Sequence, residues 1–420
     1  MRISGNIYLK GDKSLAHRAI MLASISNGES KIKNMPNSKD IINTIEAMRA
    51  CGINIQNSSD SIRVEGNSFK IPKMDINCGN SGTTMRLLAG LLSYKKIPCR
   101  LVGDSSLLSR PMGRITRPLN KMGVQTIAID GYAPIRLEKF SNTSLSEIQI
   151  SIPSAQVKSS LILAALGCEK KIKIIEKVKT RDHLELMLNE INSNIIEHRN
   201  GEIVIHPLQD KLLEGFNISL PGDISSASYL IAAAVMIDSS KLVINDLLLN
   251  PHRMGFIESL IEMGANIKID KEEIKFNEKV GRVTVKGDKN LRAININQSK
   301  IPSMIDEIPI LSLVCAYTQG ESIISGLKEL RYKESDRLKG ILHILTEMGV
   351  EVALENEDKI KILGARKLYN TNSLSNFNDH RLAMMISVAQ AISGNSIEYS
   401  DCINVSFPDF KHLINKIMER

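Results

Sequence analysis

The chain has 420 residues, 43% hydrophobic and 24% charged, the composition of an ordinary folded protein long enough for two or three full cores. Lysine and arginine number 54 against 46 acidic residues, a formal charge of +8, while aromatic residues are only 4% and Trp is absent. The basic excess suits anionic small molecules; scattered cations and few stacking platforms argue against nucleic acid, and no apolar run reaches membrane-spanning length.

The start, Met1-Arg2-Ile3-Ser4-Gly5, has no apolar signal core. Six widely spaced cysteines (51, 78, 99, 168, 315, 402) form no CxxC and read as reduced thiols of a cytoplasmic protein. Eight histidines give no HExxH, so no metal site is expected.

Ile3 to Leu9 alternates and predicts a strand. Gly11 ends it. Asp12 or Ser14 then caps a helix with its apolar face through Leu15, Ala19, Ile20, Leu22 and Ala23. Lys13 and Arg18 fall at the start of that helix, where the dipole disfavours cations. Two surface cations at a loop–helix junction are the plain reading of one such copy. An anion held between the cations and the free N–H groups would explain why they stand there.

The same plan recurs. Small-residue apolar helices begin near Ser14, Asn80, Ser154, Asp223, Asp306 and Asn378, and each is apolar nearly all round, the mark of a buried helix. Between them runs a second, more charged series, closing at Gly52, Gly123, Asn192, Gly264, Gly349 and Met418. The period of roughly 70 residues is that of a βαβ unit with extra strands. Glycine after a helix supplies the left-handed residue that closes it. Six repeats point to two domains of three. The chain lacks a strand after its last helix and begins with an orphan one, so residues 1–10 are expected to complete the sheet of the last repeat. The domains are then 1–11 with 223–420, and 12–222, hinged at 11–13 and 221–224 around the breaker Pro221-Gly222-Asp223. One long solenoid is the weaker alternative, because the buried helices offer no polar outer wall.

Polar residues crowd at the buried-helix starts. Gly79-Asn80-Ser81-Gly82-Thr83-Thr84 resembles a phosphate cradle, although no GK[ST] follows it. Arg110-Pro111 lies in a Ser-rich loop between Gly103 and Gly113. Arg331 to Arg337 is dense in charge, and its plain reading is a solvated turn with a Glu334–Arg337 pair of little worth. Asn378-Asp379-His380-Arg381 reads as an Asp cap beside a surface Arg. Arginines that oppose the dipole at these starts, as in the first copy, shift the balance towards anion binding. If the buried helices of each domain run parallel, their starts emerge together into a cleft of positive potential.

Together GDKSLAHR, GNSGTTMRLL, the Arg110-Pro111 loop, SAQVKSS, GDISSAS, IDEIP, YKESDRL and NDHR, in that order, resemble the 5-enolpyruvylshikimate-3-phosphate synthase family over essentially the whole chain. SAQVKSS and IDEIP are closer to its class II bacterial subgroup. The resemblance implies an α/β fold: a two-domain inside-out α/β barrel, each domain of three βαβαββ-type units with buried parallel helices. It implies transfer of the enolpyruvyl group of phosphoenolpyruvate to the 5-hydroxyl of shikimate 3-phosphate, with release of phosphate. It further implies the shikimate pathway, the cytoplasm, a monomer, no metal or organic cofactor, and inhibition by glyphosate.

Carried over by position, Lys13, Ser14, Arg18, Ser154, Ala155, Gln156, Arg181, Asp306 and Lys333 match the residues for shikimate 3-phosphate. Lys13, Asn80, Gly82, Arg110, Gln156, Arg337 and Arg381 match those for phosphoenolpyruvate. Ala155 stands where many members carry a second Ser, so only its backbone donates, and Arg181 is expected to supply phosphate charge instead. The catalytic roles implied are Asp306 as base on the hydroxyl, with Glu334 and Lys13 shuttling protons. Val405 stands where many members carry a Lys, and Lys411 is a candidate to replace it. Both substrates are expected to draw the domains together. The sister transferase acting on UDP-N-acetylglucosamine usually has a Cys near Arg110, and residues 103–117 contain none. An RNA-binding or RNA-end-processing protein would need clustered basic and aromatic surface, and a plain repeat scaffold would not need cations at helix starts.

Overall fold

The computed structural model of the chain describes residues 2–419 apart from Ser193, Asn200, Asp210, Lys211, Asp288, Lys289 and Arg366. Two kinds of helix alternate through it. In chain order they are α1 (Lys13–Ile25), α2 (Lys39–Ala50), α3 (Gly82–Tyr94), α4 (Ser105–Leu108), α5 (Gly113–Lys121), α6 (Ala155–Ala165) and α7 (His183–Ile191). Then come α8 (Ile224–Met236), α9 (Gly255–Glu262), α10 (Ile308–Ala316), α11 (Arg337–Glu347), α12 (His380–Ile392) and α13 (Phe410–Ile417). Helices α1, α3, α6, α8, α10 and α12 form the buried series. Every residue of α8 and of α10 is buried, which their Ala, Ser, Ile and Leu content permits and a charged face would not. The other long helices bury one side. In α2 that side is Asp40, Ile41, Thr44, Ile45, Ala47 and Met48, the spacing of an amphipathic helix. Gly52, Gly123, Gly264 and Gly349 follow outer helices with φ of +89°, +84°, +95° and +76°, the left-handed geometry that selects glycine. After α7 the chain leaves in extended conformation at Asn192 instead. No helix among the described residues is long and apolar enough to cross a membrane.

Backbone contacts divide the chain into one unit of Met1–Asp12 with Pro221–Arg420 and another of Lys13–Leu220. In the Lys13–Leu220 unit α3 and α6 are each the crossover of a parallel strand pair, and an antiparallel hairpin completes each sheet. Around α6, Glu147–Ile150 pairs in parallel with Ile172–Glu176, which pairs antiparallel with Glu202–Ile205, and that strand pairs antiparallel with Ile196–Arg199. The sheet around α3 repeats the order with Ile76–Asn77, Cys99–Val102, Ile135–Phe140 and Val124–Ala128. In the other unit Asn295–Ile296, Gly320–Ile324, Lys359–Gly364 and Glu351–Glu355 do the same around α10.

The two remaining sheets exchange their first strands. Arg2–Tyr8 precedes α1 but pairs in parallel with Lys241–Leu248, which follows α8. Asn217–Ser219 precedes α8 but pairs in parallel with Glu29–Lys33, which follows α1. The sequence expectation for residues 1–10 is therefore met only in part: the strand lies between the fourth repeat, which supplies its longer pairing, and the last, which supplies its shorter one. The last repeat has the short 3-10 helix Asp401–Val405 between α12 and α13, and it does end in a strand: Met418–Glu419 pairs antiparallel with Arg2–Ile3. An alternating seven-residue strand fits any open sheet edge, so its pattern alone could not choose the partner. Ile3 and Ile7 then join Ala227, Leu230, Ile231 and Ile244 in one core. At the junction the backbone is tied tightly. Asp12 N–H donates to Pro221 O at 2.8 Å, and Gly222 N–H donates to Asp246 O at 2.7 Å.

Close packing between buried helices is set by small residues. A Cβ on Gly90 of α3 would lie 2.0 Å from the backbone oxygen of Ser160 in α6. Gly90→Ala must push the two helices apart, and we expect a loss of about 2–3 kcal/mol in urea denaturation. A change under about 0.5 kcal/mol would contradict this packing.

Candidate active site

In the Lys13–Leu220 unit, the starts of α1, α3 and α6 are tied together by side chains. Helix α1 begins at Lys13, so Ser14 lies inside its first turn and does not cap it. Ser14 instead offers its carbonyl to Arg18 Nη1 at 2.8 Å, and Arg18 Nη2 donates to Ser159 Oγ of α6 at 2.8 Å. Ser154 caps α6 and accepts from Val157 N–H. Ala155 and Gln156 are its first two residues. Gln156 Nε2 donates to Thr83 Oγ1 of α3 at 2.8 Å, and Gln156 Oε1 accepts from Arg86 Nη1 at 2.5 Å. Ser81 caps α3, so Gly82 is its first residue. A Cβ on Gly82 would meet Arg86 Nη1 at 3.2 Å and Arg110 Nη1 at 3.3 Å, so two guanidiniums bracket the glycine. Arg110 Nη2 donates to Asn80 Oδ1 at 2.5 Å, while Asn80 Nδ2 donates to Asp104 at 2.7 Å. Lys13, Arg18, Asn80, Gly82, Arg110, Ser154, Ala155 and Gln156 thus belong to one hydrogen-bonded constellation or to the helix starts it joins.

Arg181 lies on the loop between Ile172–Glu176 and α7. That loop hangs from a buried ion cluster. Lys158 of α6 lies 3.1 Å from Glu176 and 2.9 Å from Glu185, and donates to Thr180 O at 3.0 Å. Burial pulls the Lys158 pKa down, but the two carboxylates outweigh it and the ammonium is held in its charged form.

The second constellation lies in the unit of Met1–Asp12 and Pro221–Arg420. Asp306 precedes α10 and lies 3.1 Å from Lys333 and 3.5 Å from Arg337. Arg337, the first residue of α11, is 1% exposed. Its Nη2 donates to Glu334 at 2.5 Å and its Nε to Asp379 at 2.8 Å. Three carboxylates therefore surround one guanidinium. Burial disfavours the cation, yet Asp379, Glu334 and Asp306 more than offset this and hold Arg337 above the usual arginine value. The plain reading of this charge run as a solvated pair holds for Arg331–Asp336 at 2.9 Å, where both side chains are about a third exposed, and fails for Arg337. Asp379 caps α12 by accepting from Arg381 N–H at 2.8 Å, and Ser335 Oγ donates to it at 3.1 Å. Arg381 is buried over the Tyr229 ring, 5.9 Å from its centroid, and donates to Ser225 O at 3.3 Å. Asp223 caps α8 through Ser226 N–H at 2.8 Å.

Lys411 is the residue named as a candidate to replace the cation expected at Val405. It lies on the outer helix α13 with its Nζ 5.0 Å from the centre of the Tyr399 ring. Sequence reading also passed over several supporting groups. Asp40 accepts from Lys13 Nζ at 2.6 Å, yet in sequence it looks like an ordinary acid in a first helical turn. Arg86, one turn beyond Gly82, stands within GNSGTTMRLL, where nothing in the sequence marks it apart from its neighbours. Arg253 of the Asn250-Pro251-His252-Arg253 turn gave no signal. It is buried, 3.2 Å from Asp12 and 2.8 Å from Ser225 Oγ. Ser225 donates in turn to Glu307, beside Asp306.

The sequence model of the family described as EPSP synthase (3-phosphoshikimate 1-carboxyvinyltransferase) matches residues 1–414. A 3-phosphoshikimate 1-carboxyvinyltransferase of Caldicellulosiruptor bescii is 39% identical, over 98% of this chain and 96% of its own length. One from Petrotoga mobilis is 40% identical over 99% and 97%. Among solved structures, EPSP synthase from Acinetobacter baumannii aligns with a TM-score of 0.85 at 32% identity, covering 99% of this chain and 96% of that one. The enolpyruvyl transferase NikO from Streptomyces tendae aligns at 0.77 with 16% identity over 99% and 95%, a likeness of fold.

Removing the guanidinium shared by three acids would take away the charge that offsets them, and the buried Asp379 would lose its cationic partner. We expect Arg337→Met to cost about 3–5 kcal/mol in urea denaturation. A loss below about 1 kcal/mol would mean that the cluster is solvated and the burial of Arg337 immaterial.

Proposed function

The chain belongs to the EPSP synthase family and transfers the enolpyruvyl group of phosphoenolpyruvate to the 5-hydroxyl of shikimate 3-phosphate, and from that premise we propose which of its residues carry the transfer. Shikimate 3-phosphate is held by Lys13, Ser14, Arg18, Ser154, the backbone of Ala155, Gln156, Arg181, Asp306 and Lys333. Phosphoenolpyruvate is held by Lys13, Asn80, Gly82, Arg110, Gln156, Arg337 and Arg381. The observation that carries this reading is the linked set of helix starts. Arg18 joins α1 to α6, Gln156 joins α6 to α3, and Arg110 stands beside Asn80 and Gly82. Free helix N–H groups and guanidiniums in one place offset the mutual repulsion of two polyanions, and arginine adds bidentate geometry for carboxylate and phosphate.

The reaction is addition followed by elimination. The 5-hydroxyl oxygen bonds to carbon 2 of phosphoenolpyruvate as carbon 3 gains a proton. Carbon 3 then loses a proton, the double bond re-forms, and the bond from carbon 2 to the phosphate oxygen breaks. Asp306 takes the hydroxyl proton, and Lys333 and Arg337 orient its carboxylate. Glu334 and Lys13 handle the proton at carbon 3. The enzyme works as a cytoplasmic monomer; its six free thiols fit a reducing compartment.

Asp306→Ala should lower turnover by about a thousandfold while shikimate 3-phosphate binding stays measurable by calorimetric titration. Near-parent turnover removes Asp306 as the base. Glyphosate is longer than phosphoenolpyruvate, so a methyl placed against Arg86 and Arg110 should hinder it more. Gly82→Ala should raise the glyphosate inhibition constant by at least about tenfold and the phosphoenolpyruvate KM by less. An unchanged inhibition constant would remove Gly82 from that site.

A further inference from the structure

The side chains around Lys13 also reach the start of α3. Lys13 pairs with Asp40 in the first turn of α2. One turn along α1, His17 is fully buried, with Nδ1 2.7 Å from Thr44 Oγ1 of α2. Thr44 Oγ1 lies 2.7 Å from Thr84 Oγ1 of α3, and Thr84 Oγ1 lies 2.7 Å from Ser81 Oγ. Ser81 is the cap of α3, accepts from Thr84 N–H at 3.1 Å, and stands between Asn80 and Gly82. His17, Thr44 and Thr84 are 0% exposed and Ser81 1%, so water does not compete for these bonds.

The protons in this chain have a direction. Burial, then the charges of Lys13 and Arg18, hold His17 well below the usual histidine value, so its ring is neutral and carries one proton. Its buried Nε2 has no hydrogen-bond partner among the described residues. A buried N–H without an acceptor is the rarer and costlier orphan, so the proton belongs on Nδ1 and is donated to Thr44. Thr44 then donates to Thr84, and Thr84 to Ser81. The carbonyl of Asp40, 3.3 Å from Thr44 Oγ1 and 3.5 Å from Thr84 Oγ1, is the longer alternative for each hydroxyl. Hydrogen bonds aligned head to tail polarise and strengthen one another.

We infer that Thr44 is a positioning residue for phosphoenolpyruvate: the relay His17–Thr44–Thr84–Ser81 fixes Asn80 and Gly82 relative to the helix that carries Lys13. The inference rests on the assignment of Lys13, Asn80 and Gly82 to that substrate. Arg18 reaches α6 through Ser159 without using the relay, so shikimate 3-phosphate should be little affected.

Steady-state kinetics of the whole enzyme test this. Thr44→Val keeps the volume and deletes the hydroxyl. We expect its phosphoenolpyruvate KM to rise about tenfold, with the shikimate 3-phosphate KM and kcat within about threefold of the parent. Thr44→Ser restores the hydroxyl and should return the phosphoenolpyruvate KM towards the parent value. A Thr44→Val enzyme whose two KM values stay unchanged, or rise together, overturns the inference. Long-range proton–nitrogen NMR of the parent reads the His17 tautomer without any variant having to fold. A proton on Nδ1 supports the relay, and a proton on Nε2 overturns it. A parent inactive with both substrates would fail the functional assignment instead and leave the NMR result to decide the relay.

Discussion

A cation at the amino end of a helix faces the positive end of the dipole, so something else must hold it there. Lys13 opens α1, Arg337 opens α11 and Arg381 lies in the first turn of α12. Lys13 is held by Asp40, and Arg337 by Asp306, Glu334 and Asp379. Arg381 is buried on Tyr229; burial opposes its charge, while the face of the Tyr229 ring and the carboxylates of Asp306 and Glu307 favour it. A buried ion pair gains little net stability, because desolvation offsets most of the attraction. Such an arrangement calls for a use of the cations, and the proposed binding of two polyanionic substrates supplies one.

The fold supplies the means. Buried helices built from Ala, Ser, Gly and Leu approach closely, as at Gly90 against Ser160, and this brings their starts within side-chain reach. The outer helices and loops contribute the counter-charges: Asp40 comes from α2, and Glu334 from the turn before α11. The exchanged strands place Gly11, Asp12 and Lys13 at the boundary of the two units. Asp12 is bound there by Arg253 and by the backbone of Pro221, one residue before Lys13.

Much of this was legible in the sequence. The alternation of small-residue and charged helices marked the buried and outer series, and glycine after the outer helices marked their ends. Lys13, Gly82, Gln156, Asp306, Lys333 and Arg337 stood in motifs at helix starts, where residue type and position both carry information. The partner of the first strand was not legible, because Ile3 to Leu9 would fit several sheet edges equally well. Asp40 and Arg253 were not legible either. Each is explained locally, by a dipole or a turn, and only the tertiary contact to Lys13 or Asp12 shows its use. The same holds for Thr44, which looks like any polar residue on an amphipathic helix until Thr84 lies beside it.

The most direct test is phosphate release by the purified protein with phosphoenolpyruvate and one of two acceptors, shikimate 3-phosphate or UDP-N-acetylglucosamine. The account predicts one phosphate per enolpyruvyl product with shikimate 3-phosphate and none above background with the nucleotide sugar. Release with the nucleotide sugar alone, or with neither acceptor, would contradict it.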